Sequence, residues 1–210
     1  MNIGEGYLLV VEDDPDILKL LEATLTFRGY RVITARNGLE GLEAIQKEHP
    51  AITITDIMMP KLDGFSLVQR LRINPETRDI PVVFISATYV AREDREFALN
   101  IGATRFIQKP VDIEEFLKTI TELLEQDAPV ALEPLKEFNF YDGYRKRLEV
   151  KLAQKNTQIA RDELLLKTNY SDTENQSFQT SLRQAINERE EIKLLLEKIH
   201  EQLKRYPESE

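Results

Sequence analysis

The chain has 210 residues, 41% of them hydrophobic, which suffices for one domain with a buried core plus a smaller appendage. It contains no cysteine, which excludes disulfides, thiolate chemistry and cysteine-based zinc sites. The net charge of −9 comes from residues 1–134, since residues 135–210 are neutral, and an acidic body favours cations or basic partners over nonspecific nucleic-acid binding. No apolar run approaches the roughly 18 residues of a membrane helix and no signal-peptide pattern opens the chain, so we expect a cytoplasmic protein with no membrane partner.

Residues 1–125 are predicted to form one domain, in which strand-like and helix-like segments alternate along residues 7–125. The predicted strands are 7–11, 31–35, 51–55, 80–85 and 105–107. The first predicted helix begins at Pro15, and the other four cover 38–48, 64–73, about 91–100 and 112–125. Five such strand–helix units predict an α/β domain with a doubly wound, five-stranded parallel sheet.

The composition changes after residue 125. Residues 126–134 hold two prolines and are interpreted as a linker. Two long helices follow, over about 135–168 and 172–204, the second preceded by a capping box at 171–174 and carrying a heptad pattern. A short joint around Asn169 makes an antiparallel helical hairpin over 135–210 the simplest arrangement, and Arg189 occupies its polar seam position.

Reactive side chains follow the predicted strands. Glu12, Asp13 and Asp14 come after the first strand and Asp56 after the third. Ser86 follows the fourth strand, and Lys109 with Pro110 follows the fifth. In an open α/β sheet, sites form beyond the carboxyl ends of the strands, so these groups are expected to share one edge.

The residue types indicate the chemistry of that edge. Clustered carboxylates repel one another, so a cation is expected among them, and oxygen ligands favour Mg²⁺. A carboxylate can also attack phosphorus to form an aspartyl-phosphate. A metal on one side and Lys109 on the other would then offset the charge on the incoming phosphoryl group.

Four segments resemble the receiver domain of bacterial two-component response regulators, the CheY-like family. They are LLVVEDDPDIL, ITDIMMPKLDGF, VVFISAT and FIQKPVD, in matching order and spacing over residues 7–125. The resemblance implies the strand order 2-1-3-4-5, which is the order of CheY in the general rule for such sheets. It also implies that the third strand is central, with Thr53 and Thr55 buried and their hydroxyls bonded locally.

The resemblance also implies roles for single residues. Asp56 would be the phosphoacceptor, with Glu12, Asp13, Asp56 and the Met58 carbonyl around Mg²⁺. Asp14 lies one place past the acidic pair and is interpreted as a helix N-cap. Ser86 and Phe106 would be the switch residues, although many members have Tyr where this chain has Phe106. Lys109 would contact the phosphoryl group, and the Lys109–Pro110 bond is expected to be cis.

A response regulator of a phosphorelay is therefore the expected function. A sensor histidine kinase or phosphotransfer protein would phosphorylate Asp56, and the tail 135–210 would dimerise or dock to another coiled coil. No enzymatic turnover beyond phosphorylation and dephosphorylation of the chain itself is expected. No direct DNA binding is expected, since no helix-turn-helix is evident in 135–210. The alternative is an adaptor that uses an unphosphorylated receiver fold as a docking body.

Overall fold

The structure, a computed structural model, describes residues 6–125, 134–167 and 172–206, without the side chains of 172–174. It divides the chain into two compact units, Met1–Leu135 and Lys136–Glu210. Most of the predicted linker, the joint around Asn169 and the capping box at 171–174 lie outside the described residues or side chains.

The first unit has five strands and five helices in alternation. The strands are β1 (Leu8–Val11), β2 (Val32–Ala35), β3 (Ile52–Thr55), β4 (Val82–Ser86) and β5 (Arg105–Gln108). The helices are α1 (Pro15–Phe27), α2 (Gly38–Lys47), α3 (Gly64–Ile73), α4 (Arg92–Asn100) and α5 (Ile113–Glu125). The alternation predicted from the sequence is confirmed, and the ends of the elements agree with the predicted ones or differ by one or two residues.

All strands are parallel in the order β2-β1-β3-β4-β5, which confirms the predicted fold. The register aligns the carboxyl ends of the strands. Val11 pairs with Ala35 on one side and Thr55 on the other, while Ser86 pairs with Gln108. The residues that follow β1, β3 and β5 therefore emerge at a common edge, with Ser86, the last residue of β4, beside them.

Alternate strand residues form an apolar layer beneath α1 and α5. The strands contribute Leu8, Val10, Ile52, Ile54, Val83 and Ile85. The two helices cover them with Leu18, Leu21, Leu25, Phe116, Leu117, Ile120 and Leu123. Burial of such an apolar layer stabilises a parallel sheet, because both of its faces have to be shielded from water.

The central strand β3 shows where simple periodicity misleads. Its sequence ITIT alternates, yet all four residues are buried, as the resemblance implied. Thr55 donates its hydroxyl to the Asp56 carbonyl at 2.8 Å, which confirms the local bond expected for it. Thr53 is also buried, but its hydroxyl has no hydrogen-bond partner, so the expectation of a local bond is wrong there.

The second unit is an antiparallel helical hairpin of α6 (Glu137–Leu165) and α7 (Asp172–Leu203). The helices have 29 and 32 residues, or about 45 Å each. Antiparallel packing follows from three contacts along their length: Tyr141 with Tyr206, Lys155 with Glu188, and Asp162 with Ser181. No helix in the described part of the chain has the length and apolar character to cross a membrane.

The buried side of α7 follows the predicted heptads, but that of α6 does not. Ala185, Ile192, Leu196 and Ile199 of α7 are buried in steps of seven, four and three residues, with half-buried Arg189 between the first two. On α6 the buried set includes Lys151 and Asp162, whereas Leu152, expected in the stripe, is only half-buried. The packed face of α6 is therefore partly polar.

Candidate functional site

Three carboxylates meet at the carboxyl edge of the sheet. Glu12 and Asp13 follow β1, and Asp56 follows β3. One oxygen from each lies within 4.8 Å of the others, with Glu12 buried, Asp56 half-buried and Asp13 exposed. Asp14 stays out of this cluster and caps α1, since its side chain accepts hydrogen bonds from the amides of Asp16 and Ile17.

Lys109 ties two of these carboxylates together. Its Nζ donates to Asp56 Oδ2 at 2.7 Å and to Glu12 Oε2 at 2.8 Å. The Lys109–Pro110 peptide bond is cis, and the Lys109 amide donates to the Ser86 carbonyl at 2.9 Å. The structure therefore brings Glu12, Asp56 and Lys109 into direct contact and holds Ser86 beside them through the backbone.

The pKa values in the cluster reflect crowding of negative charge. Burial, then the neighbouring Asp56 charge, raises the pKa of Glu12 to about 7, despite the hydrogen bond from Lys109. The same two causes raise the pKa of Asp13. For Lys109, burial lowers the pKa, but Asp56 and Glu12 outweigh it, so the net pKa is raised and the ammonium form is favoured.

These residues form a suitable set of ligands for a divalent metal ion. Three carboxylates opposite one ammonium leave two negative charges uncompensated when all are ionised, which equals the charge of one Mg²⁺. All the side-chain ligands are hard oxygens, and Asp13 is exposed, so an ion with its waters has an open approach.

Asp56 is held on a rigid backbone. Its amide donates to the Val11 carbonyl at 2.9 Å, and its Oδ1 accepts from the Ile57 amide at 2.6 Å. Gly64, at the start of α3, lies against the same segment so closely that an added Cβ would be 2.1 Å from the Asp56 carbonyl oxygen. Only glycine permits this approach, which fixes the loop from 57 to 63 between the carboxylate and α3.

Ser86 is turned toward the loop that joins β4 to α4. Its buried Oγ accepts hydrogen bonds from the amides of Thr88 and Tyr89, each at 3.2 Å. A hydroxyl has two acceptor positions and one donor hydrogen, so both acceptor positions are used and only the hydrogen remains for another partner. Ser86 is thereby prepared to act as a donor.

Two other residues with predicted roles, Phe106 and Met58, are both half-buried. Phe106 is half-buried on β5, and the Arg95 guanidinium of α4 lies 5.5 Å from its ring centroid. Met58 is half-buried in the loop after Asp56. The switch role of Phe106 and the metal contact of the Met58 carbonyl stay predictions.

A buried aromatic cluster beside the site was missed by the sequence reading. Tyr89 is fully buried and lies edge-on to Phe65, with ring centroids 5.1 Å apart. Phe65 makes similar contacts with Phe84 and Phe97 at 5.4 and 5.1 Å. Because Phe65 follows Gly64 and Tyr89 follows Ser86, the cluster links the Asp56 loop to α4. The available signal was the apolar flank of VVFISATYV, in which an aromatic residue stands three places after Ser86.

Comparison with known proteins gives matches that concentrate in the first unit. The family model for the response regulator receiver domain matches residues 8–121. The chain is 38% identical over 126 residues to "Probable transcriptional regulator ycf27" of Cyanophora paradoxa, covering 60% of this chain and 51% of that protein. It is 32% identical over 158 residues to the "Uncharacterized transcriptional regulatory protein YkoG" of Bacillus subtilis, covering 74% of this chain and 68% of that protein.

Comparison with solved structures also gives a response regulator that matches a little over half of this chain. The chemotaxis response regulator CheY4 of Vibrio cholerae superposes with a TM-score of 0.54 at 30% identity, covering 57% of this chain and 99% of that one. The chain spans about half the length of ycf27, so much of that relative has no counterpart here.

The prediction of no direct DNA binding is wrong on these comparisons. It rested on the lack of an evident helix-turn-helix in 135–210 and on the acidic charge of the first part. Both curated relatives are named as transcriptional regulators, and the YkoG match covers more of the chain than the 135 residues of the first unit. Net charge is also a poor guide to a local surface, since α6 carries Arg145, Lys146 and Arg147 in succession.

Proposed function

Because the chain belongs to the response regulator receiver family of two-component systems, we propose that it accepts a phosphoryl group on Asp56 as a step of a phosphorelay. The observation that carries the proposal is the contact of Lys109 Nζ with both Asp56 Oδ2 and Glu12 Oε2, inside a cluster of three carboxylates. A docking body without chemistry has no physical need for a cluster in which burial and the Asp56 charge raise the pKa values of Glu12 and Asp13.

The proposed step is an in-line transfer. A carboxylate oxygen of Asp56 forms a bond to phosphorus while the bond from phosphorus to the donor's leaving atom breaks, and the leaving atom keeps the electron pair. The donor is a phosphohistidine of a kinase or phosphotransfer protein, or acetyl phosphate. The Lys109 ammonium stays protonated, and its ion pair with the Asp56 carboxylate is replaced by one with the phosphoryl oxygens.

Glu12, Asp13, Asp56 and the Met58 carbonyl would hold a Mg²⁺ ion, which supplies charge compensation for the transferred group when bound. The Ser86 hydroxyl, whose acceptor positions are already filled by the amides of Thr88 and Tyr89, donates its hydrogen to a phosphoryl oxygen. Ser86 thereby connects the acceptor to the loop before α4.

The output proposed for this switch is a change in association of the helical hairpin. Displacement of the Ser86–Tyr89 segment acts on α4 through the aromatic cluster, and on Phe106 through its contact with Arg95. The chain takes up and loses one phosphoryl group stoichiometrically and catalyses no other reaction.

Intact mass spectrometry after incubation with Mg²⁺ and acetyl phosphate tests the acceptor. The wild type is expected to gain one phosphoryl mass, and chelation of Mg²⁺ is expected to abolish the gain. Asp56→Asn removes the nucleophile and should show no gain. Asp14→Asn is the matched control, because this neighbouring acid lies outside the cluster and asparagine caps helices as well as aspartate does.

Two results would overturn the proposal. One is a wild type that stays unmodified and also fails to bind beryllium fluoride in the presence of Mg²⁺, which would support the hypothesis of an adaptor. The other is equal modification of wild type and Asp56→Asn, which would move the acceptor elsewhere.

A second candidate, regulation of transcription, is favoured by the names of the curated relatives. Selection from a random pool of DNA duplexes, with and without beryllium fluoride, tests it. Enrichment of a sequence by the full chain supports a direct role on DNA, and retention of no duplex at low salt in either state opposes it.

A further inference from the structure

The polar side chain of Gln69 is buried in helix α3. It is 4% exposed, although glutamine is mostly found at protein surfaces. Its Nε2 donates to the backbone carbonyl of Leu135 at 3.1 Å, a contact between residues 66 positions apart in the sequence. Leu135 is the last residue of the first unit, and the next residue, Lys136, is the N-cap of α6. The contact therefore attaches the end of the first unit to α3, immediately before the hairpin begins.

This contact, which we call the Gln69 latch, satisfies the amide group only in part. Gln69 Oε1 is buried and accepts no hydrogen bond from any residue that the structure describes. Burial of an unpaired amide oxygen costs free energy, and water would satisfy that oxygen if the latch opened. The gain from one hydrogen bond is thus opposed by a loss at the other atom of the same amide. We expect the closed and open forms to be close in free energy, so that a small perturbation shifts their populations.

Helix α3 connects the latch to the proposed acceptor through its first residue. The amide of Gly64 donates to the Ile57 carbonyl at 2.8 Å. An added Cβ at Gly64 would lie 2.1 Å from the Asp56 carbonyl oxygen, so the start of the helix is in close contact with the acceptor segment. Gln69 follows five residues later, about 7.5 Å along the helix axis. A displacement of the Asp56 segment therefore reaches the latch through little more than one helical turn.

A second connection passes through aromatic side chains. Phe65 lies one turn before Gln69 on the same side of α3. Its ring meets that of Tyr89 edge-on, with the centroids 5.1 Å apart. The Tyr89 amide donates to Ser86 Oγ at 3.2 Å. When the Ser86 hydroxyl moves to donate to a phosphoryl oxygen, the movement therefore acts on Phe65 and on the helix that carries Gln69.

We propose that the Gln69 latch is a conformational switch, closed when Asp56 is unmodified and released when Asp56 carries a phosphoryl group. The proposal rests on the phosphorylation proposed above and identifies a segment that responds to it. In the structure, Lys109 contacts the unmodified Asp56 carboxylate and the latch is closed. Release frees the backbone of Leu135 from α3. Since the next residue, Lys136, is the N-cap of α6, the release acts on the chain where the hairpin starts.

The position of Lys136 allows the latch to be measured directly. Trypsin cleaves after lysine and has to bind the preceding backbone in an extended form, so the closed latch should slow cleavage between Lys136 and Glu137. When opening and closing are faster than cleavage, the rate follows the population of the open form. We expect the new amino terminus at Glu137, quantified by mass spectrometry, to appear at least about threefold faster with beryllium fluoride and Mg²⁺ than without them. Asp56→Asn should abolish this response.

A substitution of Gln69 tests the latch without any ligand. Gln69→Met keeps the length of the side chain but removes both the donor to Leu135 and the unpaired oxygen. We expect cleavage after Lys136 to be at least about threefold faster than in the wild type and to respond little to beryllium fluoride. Arg70→Met is the matched control, because it introduces the same side chain at the exposed neighbouring position, and it should behave as the wild type does. Urea unfolding verifies that both variants are folded.

The latch should also change binding at the acceptor. If beryllium fluoride binds more tightly to the open form, a variant that is already open binds it more tightly, because the coupling between two equilibria is reciprocal. Gln69→Met is therefore expected to bind beryllium fluoride at least about twofold more tightly than the wild type, measured by calorimetric titration with Mg²⁺ present. A contact that is only structural would leave this affinity unchanged.

Three results separate the latch from the acceptor. Cleavage of the wild type that does not respond to beryllium fluoride, in a chain that takes up a phosphoryl group normally, would overturn the switch and leave the acceptor intact. Equal cleavage of Gln69→Met and the wild type would overturn the role of Gln69. Conversely, a wild type without phosphoryl uptake would contradict the acceptor, and faster cleavage of Gln69→Met would in that case still support the latch.

Discussion

Two carboxylates of this chain are almost equally hidden from solvent, Glu12 at the sheet edge with 2% exposed and Asp162 in the hairpin with 1%. Burial raises the pKa of both, yet the net pKa is about 7 for Glu12 and below the ordinary value for Asp162. The difference has two causes: Glu12 is surrounded by protein to a greater depth, so burial raises its pKa more strongly, and its neighbours differ. Glu12 shares one lysine with Asp56, whereas Asp162 receives hydrogen bonds from Ser181 and Arg161 with no competing acid.

The contrast separates a reactive arrangement from a structural one. At the sheet edge, charge is left uncompensated, which costs stability and makes the cluster receptive to a cation or to neutralisation of Asp56. In the hairpin, Ser181, Arg161 and Gln158 all favour the charged form of Asp162, so the group stabilises the pairing of α6 with α7. Burial alone therefore does not identify a functional acid.

The largest expected effect comes from breaking the backbone that supports Asp56. In Gly64→Ala the new Cβ would meet the Asp56 carbonyl oxygen, so the loop must shift. We expect a loss of about 3 kcal/mol in the free energy of unfolding and at least a tenfold slower phosphoryl uptake. Gly41→Ala is the control, because its nearest neighbour is a side-chain methyl of Val11 at 3.2 Å and not a backbone atom, so the required shift is much smaller. Equal uptake by both variants would contradict the role of Gly64.

Removing the structural acid should affect only the hairpin. Asp162→Ala takes away the acceptor for Ser181 and Arg161, and we expect a loss of about 2 kcal/mol in the local stability of α6 and α7. Amide hydrogen exchange of the two helices measures this. Asp142→Ala, an acid on the same helix with more exposed ion pairs, should cost under about 0.5 kcal/mol. Comparable protection in the two variants would argue against a special role for Asp162.

At the sheet edge, removal of an acid is expected to raise the free energy of unfolding. Glu12→Gln relieves repulsion with Asp56, and its amide oxygen can still accept from Lys109, so the metal-free chain should gain about 1 kcal/mol at pH 8. Urea unfolding with a chelator present measures the gain, and Mg²⁺ affinity should fall at the same time. Glu40→Gln is the control, since hydrogen bonds from the Arg36 amide and Asn37 lower the pKa of Glu40. That variant should lose stability, and a loss in both would contradict the comparison.

The smallest expected effect is a decrease in the stability of the hairpin at low pH. The pKa of Asp162 is lower in the folded chain than the unfolded value near 3.9, so its contribution is complete above about pH 4 and declines below it. We expect this contribution to be under about 1 kcal/mol, visible as lower protection factors of the amides of α6 and α7 below pH 4, once the intrinsic exchange rate at each pH is divided out. Asp162→Asn should show a flatter profile than the wild type over this range. Parallel profiles would mean that other carboxylates account for the change.

Sequence reasoning located the sheet-edge site well because topology does most of the work there. Once five strands are parallel, the residues at their carboxyl ends converge whatever the details of packing, so Glu12, Asp56 and Lys109 could be placed together. The direction of the Ser86 hydroxyl and the burial of Tyr89 depend on how one loop folds onto Phe65. Those details follow from three-dimensional packing and have no periodic signature.

The hairpin was harder to predict for a physical reason. Its first helix is polar on nearly every side, so the apolar stripe does not determine which face is buried. Periodicity favoured Leu152, but the structure buries the neighbouring Lys151 and the polar Asp162. A polar residue becomes acceptable inside when a partner on the other helix satisfies it, as Ser181 does for Asp162, and such pairs are invisible in one sequence.

The unpaired hydroxyl of Thr53 has a practical consequence for experiments on this chain. It lies in the central strand, fully buried and without a hydrogen-bond partner, so the folded protein carries a desolvated polar atom that an isosteric methyl would avoid. Thr53→Val should therefore raise the free energy of unfolding by about 1 kcal/mol, measured by urea denaturation. Such a background provides a margin of stability in which damaging substitutions such as Gly64→Ala can be studied in a chain that still folds.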